Sequence, residues 1–174
     1  MNLLRNTIVY TAGPLEATKD NGGEWRDKLK EALEPIGVKV LDPTKPMFVG
    51  DSPETEERRQ KCLEKRGEGD YEYVRSIFKP IIQKDLRLVD LASFFIVNFI
   101  DYKIPTWGTM HELVVANQQK KPIIVVGKGN PPLWMIGLLP AETFFQTLEA
   151  AISYIKKIDS GDINLNTEKW KILP

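Results

Sequence analysis

Glu112 is the residue whose surroundings most suggest chemistry. On a helix its neighbours at i−4 and i+4 are Gly108 and Ala116, both small. A solvated helix face usually carries long polar side chains, so a carboxylate between two small residues leaves room for a ligand to approach. Glu112 also fits a capping box, in which its side chain would accept a hydrogen bond from the backbone N–H of Thr109. The two roles are compatible, and the sequence leaves both open.

A loop, a helix and a strand must position this glutamate. A helix is predicted over residues 110–120, with Met110, Leu113 and Val114 as its core stripe, and Lys120 to Pro122 end it. The run PIIVV that follows is β-branched and typical of a strand covered on both faces. Any chemistry therefore belongs at the start of the helix.

Tyr10 lies in the first predicted strand, residues 7–12, which Gly13 and Pro14 end. Ligands bind at the carboxyl ends of strands in open α/β sheets, so Tyr10 is either a core tyrosine or part of a site. Asn98 interrupts the apolar run SFFIVNFI and needs a hydrogen-bonding partner, from the backbone or from a ligand. Asp85 lies late in a predicted helix, where a carboxylate is mildly unfavourable, which is a weak indication of another role.

The order of elements predicts one α/β domain over residues 1–174. A mainly parallel sheet of about five strands, with helices on both faces, places it in the flavodoxin-like or Rossmann-like class. Strands are predicted at 7–12, 38–41, 93–100, 122–126 and 143–146, and helices at 24–36, 54–66, 71–91, 110–120 and 148–158.

Three regions are less regular. In the insertion 42–80, Ser52 and Pro53 are expected to start a charged helix that is either a solvated surface helix or a lid or subunit contact, and Pro80 is expected to kink the next helix. The segment after Gly127 is expected to be irregular. The tail 159–174 is polar but carries Trp170, which should dock on its own core or on a neighbouring subunit.

Composition narrows the partners. With 24 basic and 24 acidic residues in 174 the net charge is zero, which argues against a nucleic-acid polymer or a membrane surface and permits self-association. The chain has a single cysteine, Cys62, and a single histidine, His111, so neither a disulfide framework nor a zinc cluster is expected, and a cytoplasmic setting is the default. Neither G-x-G-x-x-G nor a P-loop is present, which disfavours a dinucleotide-binding oxidoreductase.

From about residue 7 to 126 the chain resembles the nucleoside 2-deoxyribosyltransferase family. The resemblance rests on VYTAGP, on KDLRLVDLASFFIV and above all on WGTMHELVVANQQKKPIIVV. The insertion and the tail after Gly127 are not closely matched.

The resemblance implies a mechanism without metal or redox cofactor. Glu112 would attack C1′ of a 2′-deoxyribonucleoside, the base would leave, and a second base would attack the covalent intermediate with overall retention. Tyr10 would orient Glu112, and Asp85 would lie near the base or sugar. The family's sites are often completed across subunits, which suggests a homo-oligomer. Candidate substrate-binding residues are Gly13, Pro14, Asn98, Trp107, Gly108, Thr109 and His111.

Several positions differ from the family pattern. Thr106 stands about where members carry a base-contacting aspartate, and Ser93 stands where many have an aspartate opening the third strand. Both changes bear on base preference. Trp107 could stack on a base, and His111 either contacts substrate or faces solvent.

Two alternatives remain. One is a hydrolase that cleaves the N-glycosidic bond of nucleoside 5′-monophosphates, which needs a phosphate site, and residues 15–26 offer only Lys19 and Arg26. The other is a non-catalytic nucleotide-binding module on the same fold. In every case the expected partners are a small-molecule nucleoside or nucleotide and a free base.

Overall fold

A five-stranded, wholly parallel sheet forms the centre of the chain in a computed structural model, which describes residues 2–14, 22–48, 55–104, 106–162 and 170. The strand order is β2-β1-β3-β4-β5. This is the flavodoxin-like order, so the predicted fold class is confirmed. The strands are β1 (Ile8–Ala12), β2 (Lys39–Leu41), β3 (Phe94–Asp101), β4 (Ile123–Lys128) and β5 (Phe144–Phe145).

Helices cover both faces of the sheet. They are α1 (Gly23–Leu33), α2 (Glu56–Gly67), α3 (Tyr71–Leu91), α4 (Trp107–Gln118), α5 (Leu133–Leu138) and α6 (Leu148–Ser160), with 3-10 turns at Glu34–Ile36 and Ala141–Thr143. The predicted bounds of the third helix are confirmed, and Pro80 lies inside it. No helix in these ranges is both long and apolar enough to cross a membrane.

Alternation along β1 assigns the two faces. Val9 packs in a core with Leu29 of α1 and Ile155 of α6. Tyr10 points to the opposite face, where it packs in a second core with Leu88 of α3 and Leu113 of α4. Successive side chains of a strand point to opposite faces, so this register places Tyr10 under the two helices that carry Asp85 and Glu112.

The chain leaves β1 in close contact with β3. A Cβ on Gly13 would lie 2.7 Å from the backbone oxygen of Asn98, so only glycine fits at this position without a backbone shift. The connections from β1 and β3 then run to opposite sides of the sheet. A crevice at such a switch point, at the carboxyl ends of the strands, is the usual ligand site of this fold.

A buried arginine ties the first two strands together. Arg26 is 1% exposed, and its Nε lies 3.5 Å from Asp42 Oδ1, just beyond β2. Its guanidinium also donates to the backbone oxygens of Thr11 and Gly22. Arg26 is therefore a structural cation, which leaves Lys19 as the other cation that residues 15–26 offered for a phosphate site. Lys19 lies outside the described residues.

Two predictions about local structure need correction, and the structure decides between the alternatives for a third. The charged helix begins at Glu56 with Thr55 as its N-cap, so the predicted start at residues 52–54 is wrong. The segment after Gly127 is not wholly irregular, because α5 forms there after Pro132. Trp170 is buried against Phe94 and Tyr154, so this part of the tail docks on its own core as one alternative predicted.

Candidate active site

A cavity of about 600 Å³ opens beside the carboxyl end of β1, within the range of ordinary small-molecule sites. Most of the predicted site residues line it together, although they come from three separate parts of the chain. They are Tyr10, Gly13 and Pro14 from β1 and its exit, Asp85 from α3, and Trp107, Gly108, Thr109 and Glu112 from α4.

The hydroxyl of Tyr10 donates a hydrogen bond of 2.7 Å to Glu112 Oε1. Tyr10 is fully buried, and its ring lies 5.1 Å from that of Phe95 on the neighbouring strand. Packing therefore fixes the ring, and the ring in turn fixes the carboxylate. A charge-assisted bond of this length is among the stronger ones in proteins.

Burial raises the pKa of Tyr10 well above its ordinary value of 10. The nearby carboxylates of Glu112 and Asp85 raise this pKa further, and so does the hydrogen bond to Glu112, while Arg26 opposes the shift. A phenolate beside two carboxylates in a buried site is strongly disfavoured. Tyr10 is thus held as a hydrogen-bond donor at neutral pH.

The capping-box interpretation of Glu112 is wrong. Helix α4 begins at Trp107 with Thr106 at the N-cap position, so Thr109 is already the third helical residue. Glu112 therefore lies beyond the first turn, and its side chain bonds to Tyr10. Leu113 and Ala116, with Thr109, form the buried stripe of α4, while Met110 and Val114 are only partly buried.

Asp85 faces the cavity from α3 next to a lysine that is itself held in place. Lys84 Nζ lies 3.6 Å from Asp85 Oδ1 and donates to the backbone oxygen of Pro43 at 2.7 Å. The lysine links α3 to the loop after β2 and sets a positive charge beside Asp85. The aspartate side chain is 18% exposed, so it can meet a ligand.

The start of α4 offers three different surfaces. Trp107 is 87% exposed at the cavity, a large aromatic face left open to solvent. Gly108 has no atom within 4 Å of where a Cβ would be. The hydroxyl of Thr106 is buried, lines the cavity and makes no hydrogen bond with the described part of the chain.

Two predicted substrate-binding residues are not among those that line the cavity. Asn98 Oδ1 accepts a hydrogen bond of 3.0 Å from the Ile100 N–H, where the pairing of β3 with β4 is irregular. Its partner is therefore backbone. His111 is exposed on α4, as its solvent-facing alternative predicted. Ser93 lies at the opposite end of β3, where its Oγ accepts from the Ile8 N–H.

Sequence reasoning missed a wall of the cavity built by α2 and α3. Thr55, Arg58, Arg59 and Cys62 line the cavity from α2, and Ile77, Phe78, Ile81 and Ile82 line it from α3. The α2 positions are spaced three, one and three residues apart, which is one face of a helix. That spacing could have indicated an inward face in the sequence, but two of the four residues are arginines, which are typical of a solvated face. A wholly solvated surface helix is therefore wrong for this face of α2.

No group of three or more potential metal ligands occurs among the residues with assigned positions. The side chains at the cavity are instead suited to nucleophilic and acid–base chemistry: an oriented carboxylate, a second carboxylate and a protonated phenol.

The same fold occurs in solved 2-deoxyribosyltransferases. One from Leishmania mexicana superposes with a TM-score of 0.58 at 17% identity, over 86% of this chain and 96% of that chain. One from Bacillus psychrosaccharolyticus gives 0.50 at 18% identity, over 84% and 91%. A CMP N-glycosidase from Clostridium botulinum gives 0.47 at 15% identity, over 86% and 98%.

At these identities the likeness concerns the fold. The chain thus has the single-domain α/β fold of the 2-deoxyribosyltransferases, the group that the sequence resemblance also indicates. No family model and no curated protein matches the sequence.

Proposed function

We propose that this protein transfers the 2-deoxyribosyl group between nucleobases through a covalent intermediate on Glu112. The observation that carries the proposal is the 2.7 Å hydrogen bond from Tyr10 to Glu112 at the wall of a ligand-sized cavity. The bond holds a carboxylate in one orientation at the topological switch point. The resemblance in sequence around Glu112 supports the same reaction.

In the first displacement, a Glu112 oxygen attacks C1′ of a 2′-deoxyribonucleoside. The bond between C1′ and the base nitrogen breaks, its electron pair leaves with the base, and the base takes up a proton. A glutamyl–deoxyribosyl ester remains. Tyr10 keeps donating to the carboxylate through its hydroxyl and orients it, which limits the loss of entropy on reaching the transition state.

In the second displacement, a nitrogen of another base attacks C1′ from the face that the first base left. The bond from C1′ to the Glu112 oxygen breaks, and the carboxylate is regenerated as the attacking base loses a proton. Two inversions give retention. The reaction as proposed uses no metal and no redox cofactor, in a cytoplasmic setting that the single cysteine fits.

The remaining cavity residues supply binding. Trp107 offers an aromatic face for a base, and the aliphatic side chains of Ile77 and Ile81 offer an apolar wall. Asp85 lines the same cavity and would bond to the base or sugar, and the buried Thr106 hydroxyl offers a further hydrogen bond. Gly13 and Pro14 shape the floor beside β1.

Hydrolysis of the N-glycosidic bond is the second candidate. Glu112 is only half-buried, so water has access to the covalent intermediate unless an acceptor base covers it. The first displacement is unchanged, and only the acceptor differs.

A two-base exchange assay tests the proposal. The protein is mixed with deoxyinosine or thymidine, or with the 5′-monophosphate of either, plus free adenine or cytosine, and the products are separated by chromatography. We expect the wild type to make a new deoxyribonucleoside, or its 5′-monophosphate when the donor carries the phosphate. Glu112→Gln should lose the activity by about 10⁴-fold or more, the scale on which removal of a nucleophile acts. EDTA should leave the rate unchanged.

Controls separate the outcomes. His111→Gln, one residue away on the exposed side of α4, should retain exchange. Release of free base without exchange would establish the hydrolase instead. A protein that binds nucleosides tightly but yields no product, with or without Glu112, would be a binding module.

A further inference from the structure

The cavity is lined by two cations as well as by two carboxylates. Two carboxylates, Asp85 and Glu112, face it from α3 and α4, and two guanidinium groups, Arg58 and Arg59, line it from α2. The proposed displacement uses Glu112, which Tyr10 orients, and gives the two arginines no part in breaking the bond. Their guanidinium groups are of the kind that binds an anionic part of a substrate.

The arginines occupy the inward face of α2. Thr55, Arg58, Arg59 and Cys62 all line the cavity, and Cys62 is buried, so this stripe faces the protein. At such positions a helix that packs on another helix usually carries aliphatic residues. The lysines of α2, Lys61 and Lys65, do not line the cavity, and each pairs with a glutamate three residues further along the chain.

Arg59 remains suited to an anion despite its own ion pair. Its Nη1 lies 3.2 Å from Glu56 Oε2, and the Glu56 side chain is largely exposed. An arginine has five N–H donors in a planar fork that matches phosphate geometry. The Thr55 hydroxyl caps the first turn by accepting from the Arg58 N–H. Thr55 also lines the cavity, so the amino end of α2, the positive end of its dipole, lies at the same wall.

We infer that Arg58 and Arg59, at the amino end of α2, bind the 5′-phosphate of a 2′-deoxyribonucleotide, so that the substrate is a nucleoside 5′-monophosphate. The inference rests on the proposed function for the placement of C1′ at Glu112, and it holds whether a base or water is the acceptor. The phosphate site then lies on the 42–80 insertion rather than on the loop after β1. In this arrangement, helix α2 selects for a substrate that carries a 5′-phosphate.

Binding of a base-free probe tests the inference without relying on turnover. Isothermal titration of the full chain compares 2-deoxyribose 5-phosphate with 2-deoxyribose. We expect the phosphate to tighten binding to the wild type by about tenfold or more, as charge-assisted hydrogen bonds do. Arg58→Gln and Arg59→Gln should each remove most of that gain. Arg58→Lys and Arg59→Lys should restore part of it, because charge returns without the planar fork.

Arg66→Gln is the matched control, since Arg66 is on the same helix but exposed and absent from the cavity wall. It should leave the phosphate gain unchanged. Equal binding of the two probes to the wild type overturns the inference, and so does an equal loss in all three glutamine variants. The exchange assays could also fail while the phosphate still tightens binding in an arginine-dependent way. That result would overturn the proposed transfer and leave the phosphate site standing.

Discussion

At the scale of single residues, the site depends on one hydrogen bond between positions 102 apart in the chain. Tyr10 reaches Glu112 because the register of β1 turns its side chain toward α4 and because burial keeps its proton on. Taken alone, Tyr10 could be a core tyrosine and Glu112 a helix cap. Their hydrogen bond at the wall of a cavity is what favours a site.

Tyr10→Phe should lower the exchange rate while leaving the fold intact. The phenyl ring retains the packing against Phe95, but Glu112 loses its donor. Hydrogen bonds to charged groups contribute about 1.5–3 kcal/mol, so we expect kcat to fall by roughly tenfold to hundredfold. Tyr102→Phe is the control, since Tyr102 does not line the cavity. Unchanged kcat in Tyr10→Phe would remove the orienting role.

The raised pKa of Tyr10 predicts a loss of stability in alkali. Below pH 10 Tyr10 is protonated in both the folded and the unfolded chain, so it contributes no pH dependence to the free energy of unfolding there. Above pH 10 the unfolded chain releases the proton while the folded chain retains it. The free energy of unfolding should then fall by up to about 1.4 kcal/mol per pH unit from this group.

Chemical denaturation between pH 8 and 11 measures this slope. Tyr10→Phe should show a shallower decline above pH 10 than the wild type. The raised pKa of the partly buried Tyr102 remains in both proteins and cancels in the comparison. Identical slopes would contradict the assigned shift.

At the scale of elements, four pieces meet at one crevice: the exit of β1, the inward faces of α2 and α3, and the start of α4. The helices α2 and α3 come from the 42–80 insertion and the residues that follow it. Helix α3 gives the cavity an apolar wall, and α2 gives it a cationic wall.

Gly108→Ala should separate stability from function at the start of α4. A Cβ there meets no atom within 4 Å, and alanine favours helix by about 0.5–1 kcal/mol over glycine, so the protein should be as stable as the wild type or more so. The methyl group would nevertheless stand at the cavity, one turn before Glu112. We expect kcat/KM to fall by about tenfold or more, since small misplacements of a bound substrate are costly.

Gly67→Ala provides the comparison, because its Cβ also meets open space but Gly67 does not line the cavity. It should match the stability gain with unchanged kinetics. If Gly108→Ala retained full kcat/KM, the substrate would have to bind elsewhere in the cavity.

At the scale of the whole molecule, self-association remains a prediction. Net charge is zero, and the short helix α5 exposes Leu133 at 87% and Trp134 at 55%. Exposed apolar side chains grouped in this way often mark interaction surfaces. Light scattering should give a mass above that of one chain, and the pair of changes Leu133→Ser and Trp134→Ser should lower it.

Leu91→Ser is the control for this experiment, since Leu91 is exposed but lies at the end of α3. It should leave the mass unchanged. A monomeric mass for the wild type would end the hypothesis of an oligomer.

The sequence by itself determined the parallel α/β fold and the order of its main elements, although the helix that carries Glu112 begins at Trp107 rather than at the predicted residue 110. Periodicity and turn residues are local, so the five strands and the long helix over residues 71–91 could be predicted from them. The motif around Glu112 also indicated the candidate nucleophile that we propose. Where local patterns were weak, as at α5 and the start of α2, prediction failed.

Only the tertiary structure decided what these residues do together. The pairing of Tyr10 with Glu112 depends on strand order and register, and the burial of Arg26 against Asp42 depends on where β2 ends. The charged residues on the inward face of α2 favour a solvated helix when only the sequence is considered, although in the structure they line a cavity. Contacts between distant segments follow from packing, which no window of the sequence contains, and packing therefore decided which of these side chains meet at the cavity.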